Sequence, residues 1–326
     1  MNSKLSRPLA IVGNLNVDLW VRTVSRFPRW DEELVVDSAQ MVLAGTAGYI
    51  MLAAKGLGIP TFTISTIGND AFGRFLLEEM KNRGLSCEGV IVMEGEETSL
   101  GIIFVGDKGQ RGILSTLGAH SKMDLTLVRS RESLIYSCEE IFLCGNYLLP
   151  LMSPSHIQDF AKELQERGQI VFFDPSWDPS GWTDITRKST YSLLQHVDVY
   201  LPNQEELLHL TAKNSLDEAL QEIRPRIAGE AVIKMGERGA LYINKSEEIY
   251  FEGFRVEAVN TVGAGDVFDL GYLYARRCGW PPYHRLQFAC ALAAMVISQH
   301  GDRQYPKLSE VINFLQKKTH DNFWDF

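Results

Sequence analysis

Short β-branched apolar runs alternate with helix-periodic stretches along most of the chain. The runs are LAIVG from Leu9, TFTISTIG from Thr61, EEIFLCG from Glu139, QIVFFD from Gln169, VDVYLP from Val197 and AVIKMG from Ala231. Helical period fills residues 45–58, 70–84, 155–168, 203–211 and 216–228. Strand, helix, strand with short links predicts parallel pairing and right-handed crossovers. The expected fold is α/β, a mostly parallel sheet with helices on both faces. Two regions break the rhythm. VDLWVRTV and ELVVDSAQMV read as extended segments, and TSLGIIFVGDKGQRGILSTLG reads as a hairpin turning at 106–109. With no helix to cover them, they predict a small four-stranded β lid. Residues 15–44 and 97–118 would form it, on a main domain of 1–14, 45–96 and 119–326.

Ligands of open parallel sheets sit beyond the carboxyl ends of the strands. Asn14, Asn16 and Asp18 follow the first strand, Asn203 follows VDVYLP, and Gly236 to Gly239 follow AVIKM. The stretch NTVGAGDVFDLGY, Asn260 to Tyr272, reaches the same edge. Val267, Leu270, Gly271 and Tyr274 within and after it have helical spacing. The first amides of a helix lack internal partners and carry its positive end. Without bulky side chains at Gly263, Ala264 and Gly265, a phosphate can approach them closely. Asp266 stands beside that spot, where an acid could take a proton from an attacking hydroxyl, the combination that phosphoryl transfer requires. On these residues alone, a tight turn with a capping Asp is the favoured reading. Neither the Gly-x-x-x-x-Gly-Lys-Ser/Thr loop nor Gly-x-Gly-x-x-Gly is present.

Composition narrows the class. The 326 residues are 45% hydrophobic and 22% charged, with a net charge of −9, which argues for a globular enzyme and against a nucleic-acid partner. Five scattered cysteines without a Cys-x-x-Cys pair fit reduced thiols in the cytoplasm. The N-terminal run is interrupted by Asn14, Asn16 and Asp18, unlike the core of a signal peptide. The longest apolar run, FACALAAMVI, falls well short of the ~20 residues that cross a bilayer, so no membrane association is expected.

NTVGAGDVF resembles the D-T-x-G-A-G-D-x-F signature of the ribokinase-like (PfkB) carbohydrate kinases. GNLNVDL, AGTAGYIMLAAKGLG, IGNDAFG, LPNQEEL and IKMGERGAL resemble further family segments in order, over roughly residues 9 to 301. The resemblance implies an ATP- and Mg²⁺-dependent kinase acting on a primary hydroxyl of a sugar, with the ribokinase-like fold and its β lid. It implies Asp266 as general base and Gly263, Ala264 and Gly265 as the anion hole. Asn203, Lys234, Gly236, Glu237 and Gly239 would border the nucleotide, and Glu206 would reach Mg²⁺ through water. Asn16, Asp18, Gly45 and Tyr49 would face the substrate. A capping role suits Asn203 and Glu206 as well, and a hairpin turn suits Gly236 and Gly239. Asn69 and Asp70 are expected to cap the helix that follows. The chain departs from the pattern at Ala44, at Asn260 and at Tyr49, where the family has Gly, Asp and Asn. A neutral Asn260 puts K⁺ activation in doubt. Tyr49 shares a helical face with Leu52, Ala53, Gly56 and Leu57, so it is either core or a ring in the pocket. A nucleoside kinase on the same fold, with Tyr49 facing a base, and a non-catalytic sugar-binding protein are the rival functions. Lid strand edges need protection, and relatives imply a homodimer through the lid.

Overall fold

The structure, a computed structural model, describes residues 6–22, 24–106, 111–299, 304–319 and 321–324. In chain order the strands are β1 (Leu9–Gly13), β2 (Asn16–Arg22), β3 (Ser38–Ala44), β4 (Thr61–Gly68), β5 (Val90–Met93), β6 (Leu100–Val105) and β7 (Arg111–Thr116). There follow β8 (Glu140–Cys144), β9 (Ile170–Asp174), β10 (Val199–Tyr200), β11 (Glu230–Lys234), β12 (Ala240–Ile243) and β13 (Glu248–Phe251). The helices are α1 (Thr46–Gly56), α2 (Ala71–Asn82), α3 (Leu125–Arg129), α4 (Glu132–Tyr136), α5 (Pro154–Glu166) and α6 (Asp184–Leu193). The remainder are α7 (Gln204–Thr211), α8 (Leu216–Ile223), α9 (Ala264–Arg277), α10 (Pro282–Ile297) and α11 (Leu308–Lys318).

Among the described residues the main sheet runs β13-β12-β11-β10-β9-β8-β1-β4-β5, parallel except where β12 meets β11 and β13. Both of its faces are buried, which explains why its strands read as unbroken apolar runs. Leu9 and Ile11 of β1 join the core under α1, α9 and α10, whereas Ala10 and Val12 join the core under α5 to α8. Gly271 lets α9 approach α10 closely, since a Cβ there would lie 2.8 Å from Ala289 Cα. FACALAAMVI lies within α10, a helix that core covers on most sides.

The second sheet runs β3-β2-β6-β7 and is the small lid. Strand alternation puts Asn16, Asp18 and Trp20 of β2 on one face with Ala44 and Val42 of β3 and Gly101 and Ile103 of β6. That face packs Trp20, Ala44 and Ile103 with Tyr49 and Val262, over the start of α9. Two expectations need correction or fall outside. Extended pairing begins at Ser38, so residues 33–37 of ELVVDSAQMV are not strand. The hairpin turn expected at 106–109 lies, save Gly106, outside the described residues.

Candidate active site

Helix α9 starts from Gly263, whose φ of +72° lies in the left-handed region that glycine adopts without penalty. A Cβ there would also stand 2.7 Å from Cγ of the Tyr49 ring. Two constraints, conformation and space, therefore select glycine. The first turn is closed by Ala264 N donating to Thr261 O at 3.2 Å and Val267 N donating to Gly263 O at 3.1 Å. Its N-cap, Gly263, has no side chain to cap this end. Asp266 is the acid of that turn, at the end of the helix that favours negative charge.

On the lid side, Asn16 Nδ2 donates to Asp18 Oδ1 at 2.7 Å, and Tyr49 OH donates to Asp18 Oδ2 at 2.9 Å. Gly45 and Gly101 make room for this pair. A Cβ on Gly101 would fall 2.4 Å from Asp18 Oδ1, and one on Gly45 would fall 2.6 Å from Asn16 Oδ1. Burial pushes the Asp18 carboxyl up to about 6, against the opposing hydrogen bonds from Tyr49 and Asn16. Tyr49 is only 5% exposed, yet it is no mere core residue. Its ring covers Gly263 while its hydroxyl holds Asp18, so it links the lid to the start of α9.

On the opposite side, Asn203 and Glu206 form a complete capping box at the start of α7. Asn203 N donates to Glu206 Oε2 at 2.8 Å, and Glu206 N donates to Asn203 Oδ1 at 2.9 Å. Burial, reinforced by the Asp174 carboxylate, pushes Glu206 up to about 7. A carboxylate that burial disfavours in this way suits a nearby cation. Gly236 (φ +61°) and Gly239 (φ +89°) flank the short turn after β11, and Glu237 is exposed within it.

Lys234, expected beside the nucleotide, donates its ammonium to Asp174 Oδ2 at 2.8 Å and Asp269 Oδ2 at 2.9 Å. Burial opposes its charge, but the two carboxylates outweigh burial and push its pKa upward. Asp174 is likewise buried, and Lys234 holds it below the usual carboxylate range. Asp174 and Asp269 were not singled out from the sequence. An acid closing the apolar run QIVFFD, and another on the buried stretch of α9, were the available signals. Asn69 also needs correcting. Asp70 alone caps α2, accepting from Gly73 N at 2.7 Å, while Asn69 Nδ2 donates to Glu94 Oε1 at 2.9 Å. Asn260 Oδ1 accepts from Val262 N at 3.0 Å, which ties it into the segment that leads to α9.

Residues 7–308 match the model of the pfkB family carbohydrate kinases. The chain belongs to the pfkB family. The ATP-dependent ribose-1-phosphate kinase of Halopiger xanaduensis is 25% identical over 306 residues, covering 94% of this chain and 97% of that protein. The ribokinase of Haemophilus influenzae is 24% identical over 319 residues, covering 96% and 99%. The Arabidopsis thaliana ribokinase solved with ribose and ATP superposes with a TM-score of 0.78 at 22% identity, covering 95% of this chain and 99% of that one. This pfkB-family member is thus an ATP-dependent phosphotransferase of the carbohydrate-kinase class. Among its described residues no helix is long and apolar enough to cross a membrane.

The environment of Asp18 gives this kinase a pH signature. Its pKa rises from the usual 3.8 to about 6 on folding, so the folded state holds the proton more tightly than the unfolded state. The associated stabilisation is complete below the unfolded value and is lost as pH rises through about 6, with a ceiling of about 3 kcal/mol. Asp18→Asn keeps the shape and removes the titration. Its Tm relative to wild type should therefore climb by roughly 5 °C between pH 4.5 and pH 7.5. Buried His120, held down to about 4 by burial, adds an opposite slope to both proteins and cancels in the difference. A difference that stays flat across this window would show that Asp18 is not destabilised by burial.

Proposed function

We propose that the protein transfers the γ-phosphoryl group of ATP to a primary hydroxyl of a small sugar, with Asp266 as the base that receives the hydroxyl proton. One observation carries this reading: an uncapped glycine-rich helix start with an acid in its first turn, lying beneath a lid that bears a polar pair. The amides of Gly263, Ala264 and Gly265 would donate to the phosphoryl oxygens, where preorganised donors contribute most. Asn16 and Asp18 would orient substrate hydroxyls, and buried polar groups of this kind reject ligands that leave them unpaired. The lid would exclude water from the reacting hydroxyl.

Asn203 and Glu206, with the turn Gly236–Gly239, would hold the Mg²⁺–nucleotide, Glu206 through water. Bound Mg²⁺ supplies positive charge to the phosphates. A neutral amide at Asn260, already accepting from Val262 N, would hold K⁺ more weakly than an Asp there. A nucleoside is the second reading. Trp20, Ile103, Tyr49 and Val262 give the lid's inner side an apolar, ring-rich lining that suits a flat base. Sugar and nucleoside panels in a coupled ADP-release assay separate the two.

Asp266→Asn should lower kcat by about 10²–10⁴, the usual contribution of a general base, while ATP binding measured by calorimetry stays unchanged. Near-wild-type turnover of the purified variant would sink the assignment of Asp266.

We further propose a homodimer through the lid. Met41, Leu19, Ile102 and Leu114 stand in register across all four lid strands, on the face opposite Trp20. Met41 is 44% exposed and Leu114 61%, an apolar row that a second copy would cover. Light scattering at micromolar concentration should give twice 36.7 kDa, falling to one chain in Leu114→Glu. A wild-type mass of one chain would count against the dimer.

A further inference from the structure

Lys234, the last residue of β11, extends its side chain across the strand ends to the first turn of α9. A Cβ on Gly265 would lie 3.4 Å from Lys234 Nζ and 3.8 Å from its Cδ and Cε, so the lysine runs along the second residue of the helix. Its two acceptors come from different elements: Asp174 ends β9, and Asp269 lies one turn along α9 from Asp266. The side chains of Lys234, Asp174 and Asp269 are 11%, 5% and 0% exposed. Carboxylate oxygens of Asp174, Asp266 and Asp269 all lie within 4.8 Å of one another. Like charges at that separation repel, and burial, reinforced by the Asp174 carboxylate, pushes the Asp269 carboxyl well above the usual carboxylate range. Glu206 of α7 adds a further acid to the field of the cluster. Among the described residues, the ammonium of Lys234 is held by hydrogen bonds between two of these acids, Asp174 and Asp269.

We propose that Lys234 is a positioning residue for phosphoryl transfer: clamped by Asp174 and Asp269, its ammonium offsets the repulsion around Asp266 and pins the first turn of α9. This rests on the kinase reading above. Lys234 does not touch the reacting atoms. It acts by keeping the amides of Gly263 to Gly265 and the carboxylate of Asp266 in one geometry, where displacements near 1 Å cost about 10²-fold in rate. A lysine that instead contacted the nucleotide would act mainly on the KM for ATP.

The test compares wild type with Lys234→Met, Lys234→Arg and Asp269→Asn, using steady-state kinetics and hydrogen exchange of the ligand-free protein. Lys234→Met should lose about 10²-fold in kcat, with KM for ATP and for sugar held within about threefold. Exchange at the Val267 amide, whose bond to Gly263 O closes the turn, should speed up by about tenfold while β1 and β8 stay protected. Lys234→Arg, which keeps the charge, should recover at least about tenfold of the lost kcat. A folded Lys234→Met with kcat within about threefold of wild type, or a loss confined to the KM for ATP, would overturn the proposal. If Lys234→Met fails to fold, Asp269→Asn decides, because it keeps the shape and leaves Asp174 to hold the lysine. It should lower kcat by about fivefold and loosen the same turn, and no change in either would overturn the role. A wild-type protein that turns over no sugar would sink the kinase reading, while the exchange measurement would still report whether Lys234 pins the turn.

Discussion

The beginning of helix α9 is wedged between a ring and an ammonium. Tyr49 lies where a Cβ on Gly263 would stand, and Lys234 lies along Gly265. This wedge holds the first turn of the helix beside Lys234 at the end of β11, which in turn holds Asp174 at the end of β9. The rest of the site depends on it. Tyr49 comes from α1 and carries the lid's Asp18 on its hydroxyl, so the lid is fixed relative to the start of α9. Lys234 comes from β11 and carries Asp174 and Asp269, so the sheet is fixed relative to the helix. Burying such an ion cluster is not a way to gain stability, since desolvation takes back much of the Coulomb attraction. Its value here is geometric.

The lid contrasts with that buried network. Its inner side is mostly apolar around one polar pair, and Asp18 is strained toward its neutral form by burial. A substrate hydroxyl that bonds to the ionised carboxylate would relieve that strain. In the proposed reading, water exclusion and substrate recognition would draw on the same few residues, and the packing that buries Asp18 raises its proton affinity.

The α/β class was legible because β1, β4, β8 and β9 are short apolar runs set among helical periods, a pattern only a doubly covered parallel sheet produces. Asp266 could be put forward from the sequence because its setting is local: three small residues, an acid and a helical period lie within one stretch. The ion cluster around Lys234 was not legible, because its two carboxylate partners lie 60 and 35 residues away and meet it only in the folded chain. Tyr49 was ambiguous for a related reason. Helical periodicity shows which residues share a face but not what lies opposite, and here the opposite surface is Gly263. Residues 33–37 read as strand from their valines, yet pairing begins only at Ser38, where β3 meets Arg22 of β2.

Phosphorus NMR of a reaction holding protein, Mg²⁺–ATP and the best sugar of the panel tests the central claim most directly. The account predicts a new phosphomonoester resonance, coupled to the protons of a sugar CH₂ group, growing one for one with ADP. ADP accompanied only by inorganic phosphate, or a phosphate ester on a secondary carbon, would contradict it.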